Sequence, residues 1–211
     1  MSSGLLGIFG GTFDPVHCGH IAMARELLDL VNFNEMRFLP CKQPLLKRAS
    51  ASVEQRLAML HLALENEKKL SVDTRELDRD TPSYMFETLY SLRQDYPQSS
   101  LCLIIGMDAL LSLSRWYKYQ ALIKLAHFIV INRADYNLPE KDEVAQLVSA
   151  HKVEDVGLLL AQPAGYINFQ CLTPVDVSSS KIRQHIAQGK KVEAFLPEAV
   201  YQYIQEKRLY L

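Results

Sequence analysis

His17 and His20 stand three residues apart, a short way downstream of Gly10-Gly11 and just past Asp14-Pro15. A helical pattern begins beside them, with Ile21, Ala22, Ala24, Leu27 and Leu28. At i, i+3 on a helix both imidazoles share one face. The first turn of a helix carries N–H groups without intrahelical partners and the positive end of the peptide dipoles, which suits an anion. Glycines just upstream let backbone approach a bound group closely. Taken singly, Gly-Gly is a turn and each histidine a cap or a solvated side chain; together they describe a phosphate cradle. Cys18 lies between the histidines, but no second ligand pair follows at metal spacing, so no protein-built metal site is expected. No Gly-Lys-Ser/Thr follows the glycines, which excludes a Walker A loop.

A second group of the same character lies far down the chain. Ser178-Ser179-Ser180 reads as a helix start, with Ile182, Ile186 and Ala187 on the inner face and Gly189 at the C′ position. Its hydroxyls and N–H groups can cap the helix or bind phosphate oxygens. Arg183, about one turn in, can bind phosphate bidentately.

Bringing the two groups together requires a scaffold, and the chain between them supplies alternating elements. Segments at Leu5–Phe9, Met36–Leu39, Leu70–Val72, Leu101–Ile105, Phe128–Ile131, Leu158–Leu160 and Ile167–Cys171 read as short strands, Leu5–Phe9 and Leu101–Ile105 as apolar runs. Between them, Ser52 and Gln55 fit a capping box ahead of Leu57, Leu60, His61 and Leu64; Ser83 caps a helix with Met85, Leu89 and Leu92 inside. Pro197 suits the first position of a last helix running through Lys207, and the polar stretch Asn137–His151 has a weak helical pattern. Strand–helix alternation predicts an α/β fold: a Rossmann-like open parallel sheet with helices on both faces and a small helical part over about 178–211, all in one domain, 1–211.

Ligands of such sheets bind at the carboxyl ends of the strands. Gly106 and Asp108 follow the Leu101–Ile105 strand, and Asp108 serves equally as a helix cap or a ligand. Arg133 follows the next strand. The irregular stretch Cys41–Ser52, with Lys42, Lys47 and Arg48, is a solvated loop or, beside a phosphate cradle, a lid. Trp116-Tyr117 holds the only tryptophan, a core aromatic or a flat surface on which a ring can stack.

The 211-residue chain is 48% hydrophobic with a formal net charge of −1, which fits a real core and excludes a broad basic face for nucleic acid. Four scattered cysteines without a CxxC suit free thiols in a reducing cytosol. Neither a signal peptide nor a membrane span is expected, so the protein reads as cytoplasmic; monomer and homodimer both stay open.

GTFDPVHCGH, Gly11–His20, resembles the signature of the HxGH nucleotidyltransferase superfamily. Ser178–Arg183 resembles that family's second motif, Ser-Ser-Thr-x-Ile-Arg, with Ser180 where Thr is commoner, and the two lie in the right order about 160 residues apart. Within the superfamily the chain is most similar to bacterial nicotinate mononucleotide adenylyltransferases. The resemblance implies adenylyl transfer from ATP to nicotinate mononucleotide without a covalent enzyme intermediate, as a step of NAD biosynthesis. It implies catalytic roles for His17, His20 and Arg183, and ATP contacts at Gly10, Gly11, Thr12, Phe13, Gly106, Asp108, Arg133, Ser178 and Ser179. It also implies mononucleotide contacts at Lys47, Tyr84, Met85, Trp116 and Tyr117, and Mg²⁺ bound mainly through ATP phosphates. Two positions depart from the family: Leu46 where His is usual and Met85 where Thr is usual, the latter bearing on acid over amide selectivity. Nicotinamide mononucleotide, 4′-phosphopantetheine or a flavin precursor are other acceptors for the same chemistry, and a nucleotide-binding sensor is the alternative of another class. A dinucleotide-binding oxidoreductase lacks its G-x-G-x-x-G turn here.

Overall fold

A computed structural model of the chain describes residues 4–42, 49–132 and 142–211. Leu46, Lys47, Arg48 and Arg133 lie outside them. Six strands, β1 (Leu5–Gly11), β2 (Glu35–Pro40), β3 (Leu70–Val72), β4 (Ser100–Gly106), β5 (His127–Asn132) and β6 (Ile167–Cys171), form one sheet in the order β3-β2-β1-β4-β5-β6. Every pairing is parallel. Helices α1 (Cys18–Leu30), α2 (Val53–Leu64), α3 (Met85–Asp95), α4 (Met107–Leu111), α5 (Tyr119–Leu122) and α6 (Glu143–His151) fall between strands, and α7 (Ser179–Ala187) and α8 (Glu198–Glu206) follow the last one.

A parallel sheet is buried on both faces, which is why its strands read as apolar runs. Along β1 the side chains alternate: Leu5 and Phe9 join one core, Leu6 and Ile8 the other. The first core takes Leu27 from α1, Met59 and Leu60 from α2, Ile182 and Ile186 from α7, and Val200 and Ile204 from α8. The second takes Leu89 and Leu92 from α3, Leu110 from α4, Leu122 from α5 and Val144 and Val148 from α6. Helices therefore cover both faces, as the sequence pattern predicts. Strand order reverses direction between β1 and β4, and such a reversal opens a crevice at the carboxyl ends of the two strands. Among the described residues, no helix is long and apolar enough to cross a membrane.

Several local expectations are corrected. Val156–Leu160 is a 3₁₀ helix, not a strand: the Asp155 carboxylate takes the Gly157 N–H at 2.8 Å and winds the chain, so only Leu159 is buried. α3 is capped at Tyr84 rather than Ser83, whose hydroxyl accepts the Lys42 N–H at 3.2 Å instead. Pro197 is the cap of α8, one residue before its first turn. Ala187 is exposed. On α2 the Ser52–Gln55 box forms, but the inward face carries Arg56, Met59, Leu60 and Leu64, which leaves His61 exposed. The stripe is turned because Arg56 has main-chain partners inside the fold, given below.

Candidate active site

The β1–α1 connection is built around an inward-turned ring. Phe13 adopts φ 50°, and its side chain is buried edge-on to Phe9, ring centroids 5.5 Å apart. Gly11 is required there, because a Cβ would lie 2.9 Å from the Phe13 ring. The chain then passes through a cis Asp14–Pro15 bond and enters α1 with His17 as its N-cap residue. His20, on the first turn, accepts the main-chain N–H of His17 on Nδ1 at 3.2 Å. That bond fixes the neutral tautomer: the hydrogen resides on Nε2, which is left as a donor. The two imidazoles stack, centroids 3.7 Å apart, so the shared face expected from their spacing is realised.

Burial makes this pair unusual. His17 is buried and its Nδ1 has no hydrogen-bond partner among the described residues. Burial pushes the His17 imidazole down to about 4, against a smaller upward pull from its own backbone. His20 is driven well below the ordinary histidine range by burial and then by the charge His17 would carry. Both rings are therefore neutral near pH 7 and bring N–H donors to an electropositive helix start. The His20 Nε2–H and the N–H groups of this helix start are the donors left for an oxyanion.

The second group joins the first here. The Ser179 hydroxyl donates to Pro15 O at 2.9 Å, and Arg183 Nη1 donates to Asp14 O at 2.6 Å. Arg183 Nη1 is also 3.8 Å from Asp14 Oδ2, and its Nη2 is 3.4 Å from Ser180 Oγ. Ser178 caps α7, its oxygen accepting the Lys181 N–H at 3.2 Å. With those bonds made, the main-chain N–H groups of Ser179 and Ser180, on the first turn of α7, and the remaining guanidinium hydrogens are the donors this element offers. Gly19 explains the close fit: a Cβ there would lie 2.6 Å from Val177 Cγ1 and 3.1 Å from His17 Nδ1. Residues 164 and 169 apart in sequence are thus in direct contact.

Across the crevice, the start of α3 and the segment after α4 bring aromatics together. Tyr84 and Tyr117 lie with ring centroids 4.9 Å apart. Met85 reaches back toward β1, its Cε 3.2 Å from where a Gly10 Cβ would lie. Trp116 leaves the 3₁₀ turn Leu113–Arg115 in an extended conformation and packs partly against the second core. The Tyr84 turn rests on a buried carboxylate: Thr88 Oγ1 donates to Glu76 Oε1 at 2.7 Å. Burial holds the Glu76 carboxyl above its usual range, opposed by bonds from Thr88 and Ser83. Gly106 ends β4 at an open position, and Asp108 stands exposed on the first turn of α4. Among the described residues, no group of three or more His, Cys, Asp or Glu could hold a metal ion.

A model of the cytidylyltransferase-like family matches residues 8–185, the span that contains both groups. A protein of Legionella pneumophila (strain Paris) named "probable nicotinate-nucleotide adenylyltransferase" is 47% identical over 207 residues, covering 97% of this chain and 98% of the relative. One of the same name from Methylococcus capsulatus is 40% identical over 208 residues, 98% of this chain and 99% of that one. This chain belongs to the nicotinate-nucleotide adenylyltransferase family, within the cytidylyltransferase-like proteins. Its fold is also that of Plasmodium falciparum nicotinic acid mononucleotide adenylyltransferase complexed with NaAD, at a TM-score of 0.74 and 16% identity over 98% of this chain and 97% of that one. The same Plasmodium protein complexed with APC aligns at a TM-score of 0.72 over the same shares, also at 16% identity.

Three residues that shape the site of this adenylyltransferase-family chain carry no sequence expectation. Arg56 is fully buried and holds two loops by their carbonyls: Nη1 donates to Thr12 O at 2.8 Å, Nη2 to Cys41 O at 2.9 Å and Lys42 O at 3.2 Å. Asp14 is buried where both groups meet, and Tyr210 bonds to it. Arg56 was legible only as a polar residue abutting an apolar stripe. Nothing local marks Tyr210, and Asp14 was visible only as part of the motif. Lys42, read as part of a basic loop, is occupied: its Nζ donates to Arg79 O at 2.6 Å.

Proposed function

We propose that this chain joins ATP and nicotinate mononucleotide to give nicotinate adenine dinucleotide and pyrophosphate, an adenylyl transfer of NAD biosynthesis carried out in the cytoplasm. The observation that carries the reading is the joint itself. Arg183 and Ser179 fasten onto the Asp14–Pro15 turn beside stacked, neutral His17 and His20, making one donor-rich surface from two distant segments.

In this reading a phosphate oxygen of the mononucleotide attacks the α-phosphorus of ATP in line. The bond from that phosphorus to the bridging oxygen breaks, and its electron pair leaves with pyrophosphate. No side chain needs to form a covalent bond, so the protein's part is placement and charge stabilisation. Main-chain amides from Gly10 to Phe13 surround the α-phosphate. The His20 Nε2 hydrogen, the His17 imidazole and the Arg183 guanidinium stabilise charge growing on the leaving pyrophosphate. The N–H groups at the start of α7, with Ser178 and Ser179, hold the outer phosphates, and Gly106 and Asp108 face the ribose side. Arg133 is assigned to the triphosphate and Lys47 to the mononucleotide phosphate. Tyr84, Trp116 and Tyr117 stack on the pyridine, and the Met85 main-chain N–H, at the start of α3, takes the nicotinate carboxylate.

The donor set fits Mg²⁺ brought in with ATP: it is rich in N–H groups and without a carboxylate cage among the described residues. Bound through ATP, Mg²⁺ would supply neutralisation of triphosphate charge, with the Arg183 guanidinium and the N–H groups of α1 and α7 placed to meet the remainder.

The test is pyrophosphate release from ATP with nicotinate mononucleotide, nicotinamide mononucleotide and 4′-phosphopantetheine as acceptors. The expected result is turnover with the nicotinate compound well above the other two. Preference for another acceptor would reassign the substrate, and ATP binding with no pyrophosphate from any acceptor would make the chain a nucleotide sensor.

A further inference from the structure

Asp14 is a residue on which three other stretches of chain converge, at Ser50–Ala51, Arg183 and Tyr210, and the last of them has no part in the reading above. Helix α8 closes with two reciprocal bonds, Arg208 N–H to Gln205 O at 3.2 Å and Leu209 N–H to Ile204 O at 3.0 Å. Arg208 is left-handed at φ 50°, as this closing motif demands, and Leu209 is buried behind it. The chain enters the left-handed region again at Tyr210, φ 67°. For an aromatic residue that conformation is strained and needs surroundings that hold it. What holds it is the packing of the ring on the first core and a hydrogen bond from its hydroxyl to Asp14 Oδ1 at 2.8 Å.

The other Asp14 contacts show what that hydroxyl controls. Oδ2 accepts Ser50 N–H at 2.7 Å and Oδ1 accepts Ala51 N–H at 3.1 Å, where the chain enters α2. The Arg183 guanidinium stands off at 3.8 Å from Oδ2, and Nη1 bonds instead to the Asp14 main-chain oxygen at 2.6 Å. A direct Arg–carboxylate pair is the stronger interaction and closes to about 2.8 Å where nothing opposes it. Here the carboxylate is committed to neutral donors on both oxygens. Without the phenol, Oδ1 keeps only the longer Ala51 bond, and the carboxylate is free to turn onto the guanidinium and draw it away from the phosphate side.

We propose that Tyr210 is a positioning residue for Arg183: by holding Asp14 on neutral donors, its phenol keeps the guanidinium presented to the triphosphate. The inference rests on the assignment of Arg183 to ATP. Kinetics of wild type, Tyr210→Phe, Arg183→Ala and the double variant, with each substrate varied in turn, test it. Tyr210→Phe keeps the ring and its packing. It is expected to lower kcat/KM for ATP about tenfold, the loss of one oriented charged contact, with KM for the mononucleotide within about twofold of wild type. In the Arg183→Ala background the same change is expected to have less than about a twofold further effect. Equal losses from Tyr210→Phe in both backgrounds would show that Tyr210 acts by another route and overturn the proposal. If Arg183→Ala alone left kcat/KM for ATP unchanged, the assignment of Arg183 would fall and the proposal with it, an outcome distinct from equal losses.

Discussion

Replacing His17 with Gln should flatten the pH dependence of stability below neutrality. His17 is buried, and its folded-state value of about 4 lies well below the ordinary 6.5. A depressed histidine means that the unfolded chain binds the proton and the folded chain does not, between those two values. Stability is therefore insensitive to this group above about pH 6.5 and falls as pH drops from there toward 4. Between pH 7 and 5 the one group accounts for about 2 kcal/mol, and over its whole range for about 3 kcal/mol. His20 adds a loss of the same sign. Urea unfolding of wild type and His17→Gln at pH 7 and pH 5 reads the difference directly. The wild type should lose about 2 kcal/mol more than the variant across that interval, with similar m-values. Parallel losses in the two proteins would mean that His17 is protonated as readily in the fold as outside it, and the picture of a neutral, desolvated pair would be wrong.

The same site makes further demands. His20→Ala should lower kcat by at least about 10², the scale of one lost oxyanion donor, read as pyrophosphate release at saturating substrates; near wild-type turnover would count against its role. Trp116→Ala should raise KM for the mononucleotide far more than KM for ATP, and equal effects would move the pyridine pocket elsewhere. Gly19→Ala drives a methyl to 2.6 Å from Val177. Overpacking of this kind costs about 1–3 kcal/mol, and because it pries α1 from the segment leading into α7, kcat/KM for ATP should fall by more than a stability loss explains; a thermal shift with unchanged kinetics would refute that.

How far the sequence reaches depends on how local each cause is. β1, β4 and β5 were legible because strands buried on both faces leave apolar runs, and the Ser52–Gln55 box because its partners are three residues apart. The two groups assigned to phosphate were legible as types and spacings, and their meeting was expected through resemblance rather than derived. Causes that arise across the fold left no trace. Arg56 points inward because carbonyls of Thr12, Cys41 and Lys42 await it, and this rotates α2 by one position and turns His61 out. Leu158 and Leu160 look like a strand but are wound outward by the Asp155 cap, a local cause that the apolar pattern masks. Tyr210 is one more tyrosine near a helix end until Asp14 is seen beneath it.

The contacts from Ser179, Arg183 and Tyr210 to the turn at residues 14 and 15 also set an order of events during synthesis. A nascent chain displays its glycines and histidines before β2 to β6 emerge, and the sheet can assemble as those strands follow. The nucleotide platform stays unfinished until residue 210 clears the ribosome and α8 docks. Full kcat/KM for ATP should therefore be reached only once α8 is packed on the first core and Tyr210 sits on Asp14.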